Sequence, residues 1–67
     1  MIALRASCLI ERADACAAGF ARLGLDFAAD LTRDIGQYMR ADPERAALYE
    51  HWIGEQEARL KAKEIEQ

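Results

Sequence analysis

The side chains that could do chemistry in this 67-residue chain are few, and their spacing fits no catalytic or metal-binding pattern. Zinc sites use cysteine and histidine at short recurring spacings, which Cys8, Cys16 and His51 do not reproduce. Ser7 and Thr32 are the only serine and threonine. No pattern places His51 beside either hydroxyl as a general base. We therefore predict no catalytic residue, no metal site, no cofactor and no enzymatic activity.

Two arrangements of charged side chains resemble ligand sets and are more simply explained by solvation. Asp26, Asp30 and Asp34 lie four residues apart, so one helix would align their carboxylates. Arg22 and Arg33 stand at helical spacing from them and would neutralise them, which predicts a solvated charged face. His51 and Glu55 have the same four-residue spacing and predict a solvated pair.

The two cysteines are predicted to remain unpaired within the chain. Cys8 and Cys16 lie in one helical stretch, where eight residues separate their Cα atoms by ~12 Å. A disulfide needs a Cα separation under ~7 Å. We interpret both as small buried hydrophobic residues in a reducing compartment. The alternative places Cys16 opposite its counterpart across a dimer.

Composition and charge exclude several classes of partner. The net charge is -3 and the isoelectric point is about 5.0. An acidic chain without a basic run is a poor match to a phosphate backbone, so we predict no direct nucleic-acid binding. Glu11, Arg12 and Asp14 interrupt the N-terminal apolar stretch, and no uncharged run approaches ~20 residues. We predict no membrane association and a cytoplasmic location, which is the host cytoplasm for a phage-encoded protein.

Apolar periodicity predicts one long first helix. The chain is rich in alanine, leucine, arginine and glutamate, which favour helix. At ~100° per residue the apolar side chains form one narrow stripe: Ile2, Leu9, Ala13, Cys16, Phe20, Phe27, Leu31, Ile35 and Tyr38. The stripe keeps its phase through Gly19 and Gly24, which predicts a helix over residues 2–40. The alternative is a break near Gly24 that gives a three-helix bundle.

A second helix is predicted to begin just after residues 41–42. Asp42 suits an N-cap and Pro43 suits the first helical position. The second helix then covers about residues 43–65. Its predicted inner face comprises Ala46, Tyr49, Trp52, Ile53, Gln56 and Leu60.

The predicted fold is all-α, one helical domain over residues 1–67 in which a long and a shorter helix form a hairpin. The second helix would cover only the half of the first helix that is nearer the turn. An uncovered apolar stripe is seldom stable in water, so we predict an antiparallel homodimer. Its predicted interface comprises Ile2, Leu9, Ile10, Ala13, Cys16, Ala17 and Phe20.

The aromatic end of the first helix is the predicted site for a second partner. Tyrosine and arginine are among the residue types that dominate interface energies. Tyr38, Met39 and Arg40 precede the turn, and Arg33 and Gln37 lie one helical turn earlier. We predict that these five residues bind a partner protein, with the alternative that Tyr38 only closes the core.

The segments DFAADL (residues 26–31) and YMRADP (residues 38–43), with the chain on to Trp52, carry a family resemblance. In size, charge and architecture the chain resembles phage-encoded quorum-sensing anti-activators. The resemblance implies a compact helical dimer that binds a host transcription activator of the LuxR type and stops it binding DNA. It also implies restraint of a type IV pilus assembly ATPase, and it places Tyr38 as a surface aromatic near the hairpin end.

The predicted function is therefore a small dimeric interaction module that binds and inhibits a host regulatory protein. Two alternatives stay open. The first is a three-helix DNA-binding transcriptional regulator, which the acidic balance opposes. The second is a structural, assembly or antitoxin-like subunit, which shares the dimer prediction.

Overall fold

The protein is all-helical, as the composition predicts, and residues 2–66 form three α-helices and one 3-10 helix. A computed structural model describes the backbone of residues 2–66 and the side chains of residues 6–66. Helix α1 spans Ile2–Arg22 and helix α2 spans Asp26–Ala41. A 3-10 helix over Pro43–Tyr49 leads directly into helix α3, Glu50–Glu66. No strand occurs within the described backbone.

The first helix ends at Arg22, so the predicted continuous helix over residues 2–40 is wrong. Gly24 adopts a φ of 76°, a left-handed conformation that favours glycine. The Gly24 amide donates to the Ala21 carbonyl at 3.0 Å, and the Leu25 amide donates to the Phe20 carbonyl at 2.9 Å. These two bonds form a Schellman motif, which satisfies the last carbonyls of α1. The chain therefore adopts the alternative break near Gly24.

The break is stabilised by an apolar contact as well as by hydrogen bonds. Leu25 packs against the cluster that contains Phe20, the contact that commonly accompanies a Schellman motif. The Leu25 carbonyl then accepts the Ala29 amide at 2.9 Å and starts α2. The longest dimension of the fold is 38 Å, well short of the ~60 Å of a 39-residue helix.

The second predicted boundary is confirmed, with a local difference in helix type. Helix α2 ends at Ala41, and Pro43 begins the next element. That element opens as a 3-10 helix, and the Asp42 carboxylate lies 3.3 Å from Arg45 Nε instead of capping a backbone amide. The predicted inner face is confirmed because its six members are buried or half-buried: Ala46, Tyr49, Trp52, Ile53, Gln56 and Leu60.

Two apolar clusters lie along α1 and hold the other elements against it. One lies at the N-terminal half of α1 and packs against the end of α2, the 3-10 helix and the start of α3; its buried members are Ala6, Leu9, Ala13, Met39, Ala46 and Ile53. The other lies at the C-terminal half and combines Cys16, Phe20 and Ala29 with half-buried Leu25, Ala28 and Leu60. Helix α2 therefore runs antiparallel to α1, and α3 runs parallel to α1.

The stripe predicted as a dimer interface is covered by the chain's own helices, which corrects that assignment. Five of its members are at most 3% exposed: Leu9, Ala13, Cys16, Ala17 and Phe20. Ile10 packs half-buried against the first cluster, and the side chain of Ile2 lies outside the described residues. The prediction failed because it assumed a continuous helix over residues 2–40, in which the second helix could not have reached the N-terminal half of the first. Once α1 ends at Arg22, α2 and α3 fold back along it and cover its apolar side from Ala6 to Phe20.

Ion pairs join α1 to both neighbouring helices. Arg12 donates from Nε to Glu57 Oε2 at 3.1 Å and from Nη2 to Glu57 Oε1 at 2.6 Å, which links α1 to α3. This hydrogen bonding lowers the pKa of Glu57 against the opposing effect of its partial burial. Arg40 on α2 pairs with Asp14 on α1. Because all four side chains are 39–46% exposed, solvent screens both pairs and each contributes little to stability.

The two cysteines differ in environment, which corrects the prediction that both are buried. Cys8 is exposed and Cys16 is buried, and both thiols are free. Burial raises the pKa of Cys16 to about 11, with smaller contributions from Glu57 and Glu64. Cys16 also belongs to a core cluster of its own chain, so it does not face a counterpart across a dimer.

We expect iodoacetamide at pH 8 to alkylate Cys8 and to leave Cys16 unmodified in the folded protein. The reacting species is the thiolate, and a thiol pKa raised by two units lowers its fraction ~100-fold. Mass spectrometry of timed samples measures both rates, and unfolding in denaturant should make them similar. Equal rates in the native protein would contradict the burial of Cys16.

Candidate protein interface

Three large apolar side chains of helix α2 lie on the side that faces away from the core. Phe27 is 82% exposed, Leu31 is 41% exposed and Tyr38 is 59% exposed. They are separated by four and seven residues, so at ~100° per residue they lie on one side of the helix. The buried residues of the helix lie on the opposite side: Ala29, Thr32, Gly36 and Met39. We refer to Phe27, Leu31 and Tyr38 as the α2 face.

Close packing of α1 and α2 explains why the large side chains point outward. A Cβ placed on Gly36 would lie 3.2 Å from Asp14 Oδ1 and 3.8 Å from Ala13 Cβ. The two helices therefore approach closely where Gly36 faces Ala13. The small residues of α2 fit this gap, and Thr32 satisfies its buried hydroxyl by donating to the Ala28 carbonyl at 2.8 Å. A phenylalanine or tyrosine side chain facing α1 would hold the helices apart.

Clefts adjoin the α2 face at both ends. The cleft near the start of α2 has a volume of about 320 Å³ and is lined by Phe20, Leu25, Asp26, Phe27, Ala28, Arg59 and Lys63. The cleft near the end of α2 has a volume of about 230 Å³ and is lined by Tyr38, Ala41, Asp42, Arg45 and Tyr49. Each cleft has an aromatic member of the α2 face in its wall. A partner that covers this face can therefore insert side chains at both ends.

Only part of the predicted partner site lies together on the surface. Tyr38 is exposed as predicted, whereas Met39 is 0% exposed and belongs to the first core cluster. Met39 is adjacent to Tyr38 in the sequence but faces α1, so it is not part of the site. Arg40 pairs with Asp14, and Arg33 pairs with Asp30 at 3.0 Å.

The other residues of the predicted partner site lie on different sides of α2 from Tyr38. At ~100° per residue Arg33 lies ~140° from Tyr38 and Arg40 lies ~160° from it. Gln37 is exposed about a quarter turn from Tyr38. The structure thus brings Phe27 and Leu31 to the same face as Tyr38 and places Arg33 and Arg40 on other sides. The sequence analysis placed Phe27 and Leu31 in the apolar stripe of a continuous first helix and did not name either as a partner-binding residue.

The side chains considered for chemistry do not converge in the structure. His51 Nε2 lies 3.3 Å from Glu55 Oε1 on an exposed side of α3. Within the side chains of residues 6–66, no three histidine, cysteine or acidic groups are arranged to hold a metal ion. No helix in the described part of the chain is long and apolar enough to cross a membrane.

Comparison with protein-family models, with curated proteins and with solved structures gives no match to this chain.

Proposed function

We propose that this protein is an interaction module that binds a partner protein through the α2 face and thereby inhibits it. The observation that carries the proposal is the exposure of three large apolar side chains on one side of one helix. Soluble monomers rarely expose contiguous apolar patches larger than about a few hundred Å², and patches above that size commonly mark interaction sites. Fully burying a phenylalanine or leucine side chain contributes ~1.5–3 kcal/mol. Covering Phe27, Leu31 and Tyr38 therefore provides a substantial driving force for association.

The proposed partner is a transcription activator of the LuxR type, with a type IV pilus assembly ATPase as a further target. Resemblance to phage-encoded anti-activators supports this choice, and Tyr38, the residue it points to, lies on the exposed face. In this proposal the protein covers the activator and prevents it from binding DNA.

The direct test is a gel-shift titration with a purified LuxR-type activator bound to its DNA site. We expect the wild-type protein to release the activator from DNA and Leu31→Lys to fail, because lysine places a charge at the centre of the α2 face. Glu11→Gln, on an exposed part of α1, is the control and should act as the wild type. Undiminished DNA binding at a large excess of the protein would contradict the anti-activator proposal.

The three-helix fold is the observation that favours a DNA-binding regulator as the second candidate. Charge opposes it, since five basic side chains are already paired with acidic ones: Arg12, Arg33, Arg40, Arg45 and Lys63. A phosphate contact by any of them would break an ion pair. Tight binding to duplex DNA with a steep salt dependence would favour this candidate over the first.

The homodimer stays a prediction, and the surface available for it is now the α2 face. The assembly or antitoxin-like subunit also stays open, since such a protein would use an apolar face in the same way. An assembly subunit would bind its partner without inhibiting it, and an antitoxin-like subunit would inhibit a toxin, so either would leave the activator bound to DNA in the gel-shift titration.

A further inference from the structure

We infer that the segment bound by the α2 face is a basic amphipathic helix whose apolar stripe is flanked by lysine or arginine. This inference rests on the proposed function and specifies the chemistry of the partner. Two features of α2 support it: the length and spacing of the apolar side chains, and the carboxylates beside them.

The α2 face has the dimensions of a helix-binding surface. Phe27 and Tyr38 are eleven residues apart, so the face extends over three turns, or ~16 Å. A partner helix packed at a small crossing angle can contact the face along this whole length. Its end residues would then lie over the two clefts, which measure about 320 Å³ and about 230 Å³. Binding of an amphipathic helix to an apolar surface is a recurring mode of recognition.

An acidic edge, formed by Asp30 and Asp34, runs along the α2 face. Asp30 lies three residues after Phe27, and Asp34 lies between Leu31 and Tyr38 at distances of three and four residues. Side chains at these spacings are neighbours on a helix surface, with ~5–6 Å between Cβ atoms. A cation beside the partner's apolar stripe would therefore meet a carboxylate.

The cations expected from the sequence to neutralise this edge do so only in part. Arg33 pairs with Asp30 at 3.0 Å, and both side chains are more than half exposed, so the pair is weak. Arg22 belongs to α1, on the other side of the break at Gly24. Asp34 makes no hydrogen bond or ion pair within the described side chains. The acidic edge therefore keeps a net negative charge.

The same charge disfavours other occupants of the face. An antiparallel two-fold pairing of α2 with a second copy brings identical edges together, so the Asp30 and Asp34 carboxylates of both copies would repel each other. Nucleic acid and anionic membranes also carry negative charge. A cationic amphipathic helix is the occupant that satisfies both the apolar face and its acidic edge.

The test uses two synthetic 18-residue helical peptides with the same leucine stripe, one flanked by lysine and the other by glutamate. Fluorescence anisotropy measures their binding to the full chain over a range of salt concentrations. We expect the lysine peptide to bind at least ~10-fold more tightly at low salt, with the difference shrinking as salt screens the charges. The double variant Asp30→Asn, Asp34→Asn should lose most of this difference.

A matched double variant controls for net charge. Glu11→Gln with Glu55→Gln makes the same change in charge on α1 and α3 and should preserve the preference for lysine. Leu31→Lys should abolish binding of both peptides. Loss of the preference in the matched control would mean that only total charge matters, and it would overturn the inference.

Other results separate the inference from the proposed function. Equal affinity for both peptides, abolished in both by Leu31→Lys, would overturn the basic partner and leave the α2 face as a binding surface. Lysine-peptide binding that Leu31→Lys does not change would show that the peptide binds elsewhere and overturn the inference. If the protein self-associates and Leu31→Lys abolishes that self-association, the α2 face binds a second copy, and the inference is overturned. Failure of both peptides to bind would also overturn it, and the gel-shift titration would still test the proposed function separately.

Discussion

Phe20→Ala is expected to lower the free energy of unfolding by about 3–5 kcal/mol, a large part of the total, whereas Phe27→Ala is expected to leave it nearly unchanged. Phe20 is 0% exposed and lies at the centre of the second core cluster, next to Cys16 and Ala29. Truncating a buried phenylalanine costs about 3–5 kcal/mol. A 67-residue domain has a total stability of only about 3–10 kcal/mol. Phe27 is mostly exposed, so its truncation should change the free energy of unfolding by about 0.5 kcal/mol or less.

Urea unfolding followed by circular dichroism measures both variants against the wild type. The pair is well matched because the same atoms are removed from both sites. Similar losses of stability in the two variants would contradict the account, since Phe27 would then be packed inside the protein. A free energy of unfolding of Phe20→Ala close to that of the wild type would contradict the burial of Phe20 in the second core cluster.

Tyr38→Ala and Met39→Ala are expected to have opposite effects although the residues are adjacent. Tyr38 is exposed beside a cleft, so its loss should weaken partner binding at least ~10-fold and leave stability unchanged. Met39 is buried in the first core cluster, and its truncation should cost about 2–5 kcal/mol of stability. At temperatures where Met39→Ala is still folded, it should bind the partner with nearly wild-type affinity.

The gel-shift titration and urea unfolding together separate these effects. Phe27→Ala serves as a second binding variant, because it lies at the other end of the α2 face. Unchanged inhibition by Tyr38→Ala would remove Tyr38 from the interface. A binding defect in folded Met39→Ala as large as that of Tyr38→Ala would mean that the interface lies nearer to α1 than we propose.

The second half of the fold follows closely from the sequence. Asp42 and Pro43 mark a helix boundary through their backbone preferences, and α2 ends next to them. The large apolar residues Trp52, Ile53 and Leu60 of α3 repeat at helical spacing and pack against the core clusters, whereas Ile65 near the end of the helix is exposed. Over residues 52–60 only one side of α3 has large apolar residues, so the periodicity correctly predicts which of them pack inward.

The first half was harder because two sides of α2 can each pack against a neighbour. The stripe through Phe27, Leu31 and Tyr38 continues the phase of α1, which indicated one helix and an inward position for Phe27 and Leu31. The side with Ala29 and Gly36 is weakly apolar but allows a much closer approach to α1. The spacing of apolar residues along the sequence gives no information about how closely two helix axes approach. It therefore indicated that the larger residues face inward.

The break at Gly24 depends on a local geometry that the stripe does not reveal. A glycine within a helical pattern is compatible with a continuous helix, and the phase of the stripe supported that interpretation. The Schellman motif is stabilised by the contact of Leu25, the residue after Gly24, with the cluster that contains Phe20. This contact is not visible in the apolar stripe. Small residues at positions 29, 32 and 36 were the available sign that α2 packs closely on α1.

The outward position of the α2 face can be measured directly because the chain contains only two phenylalanines. Both can be replaced by 4-fluorophenylalanine, which gives one fluorine resonance for Phe20 and one for Phe27. A Phe27→Leu variant assigns them, and a soluble paramagnetic agent broadens the resonance of whichever ring is exposed. We predict strong broadening for Phe27 and little for Phe20 at low micromolar protein concentration. Equal protection of both rings under these conditions would place Phe27 inside the protein and contradict the proposed binding face.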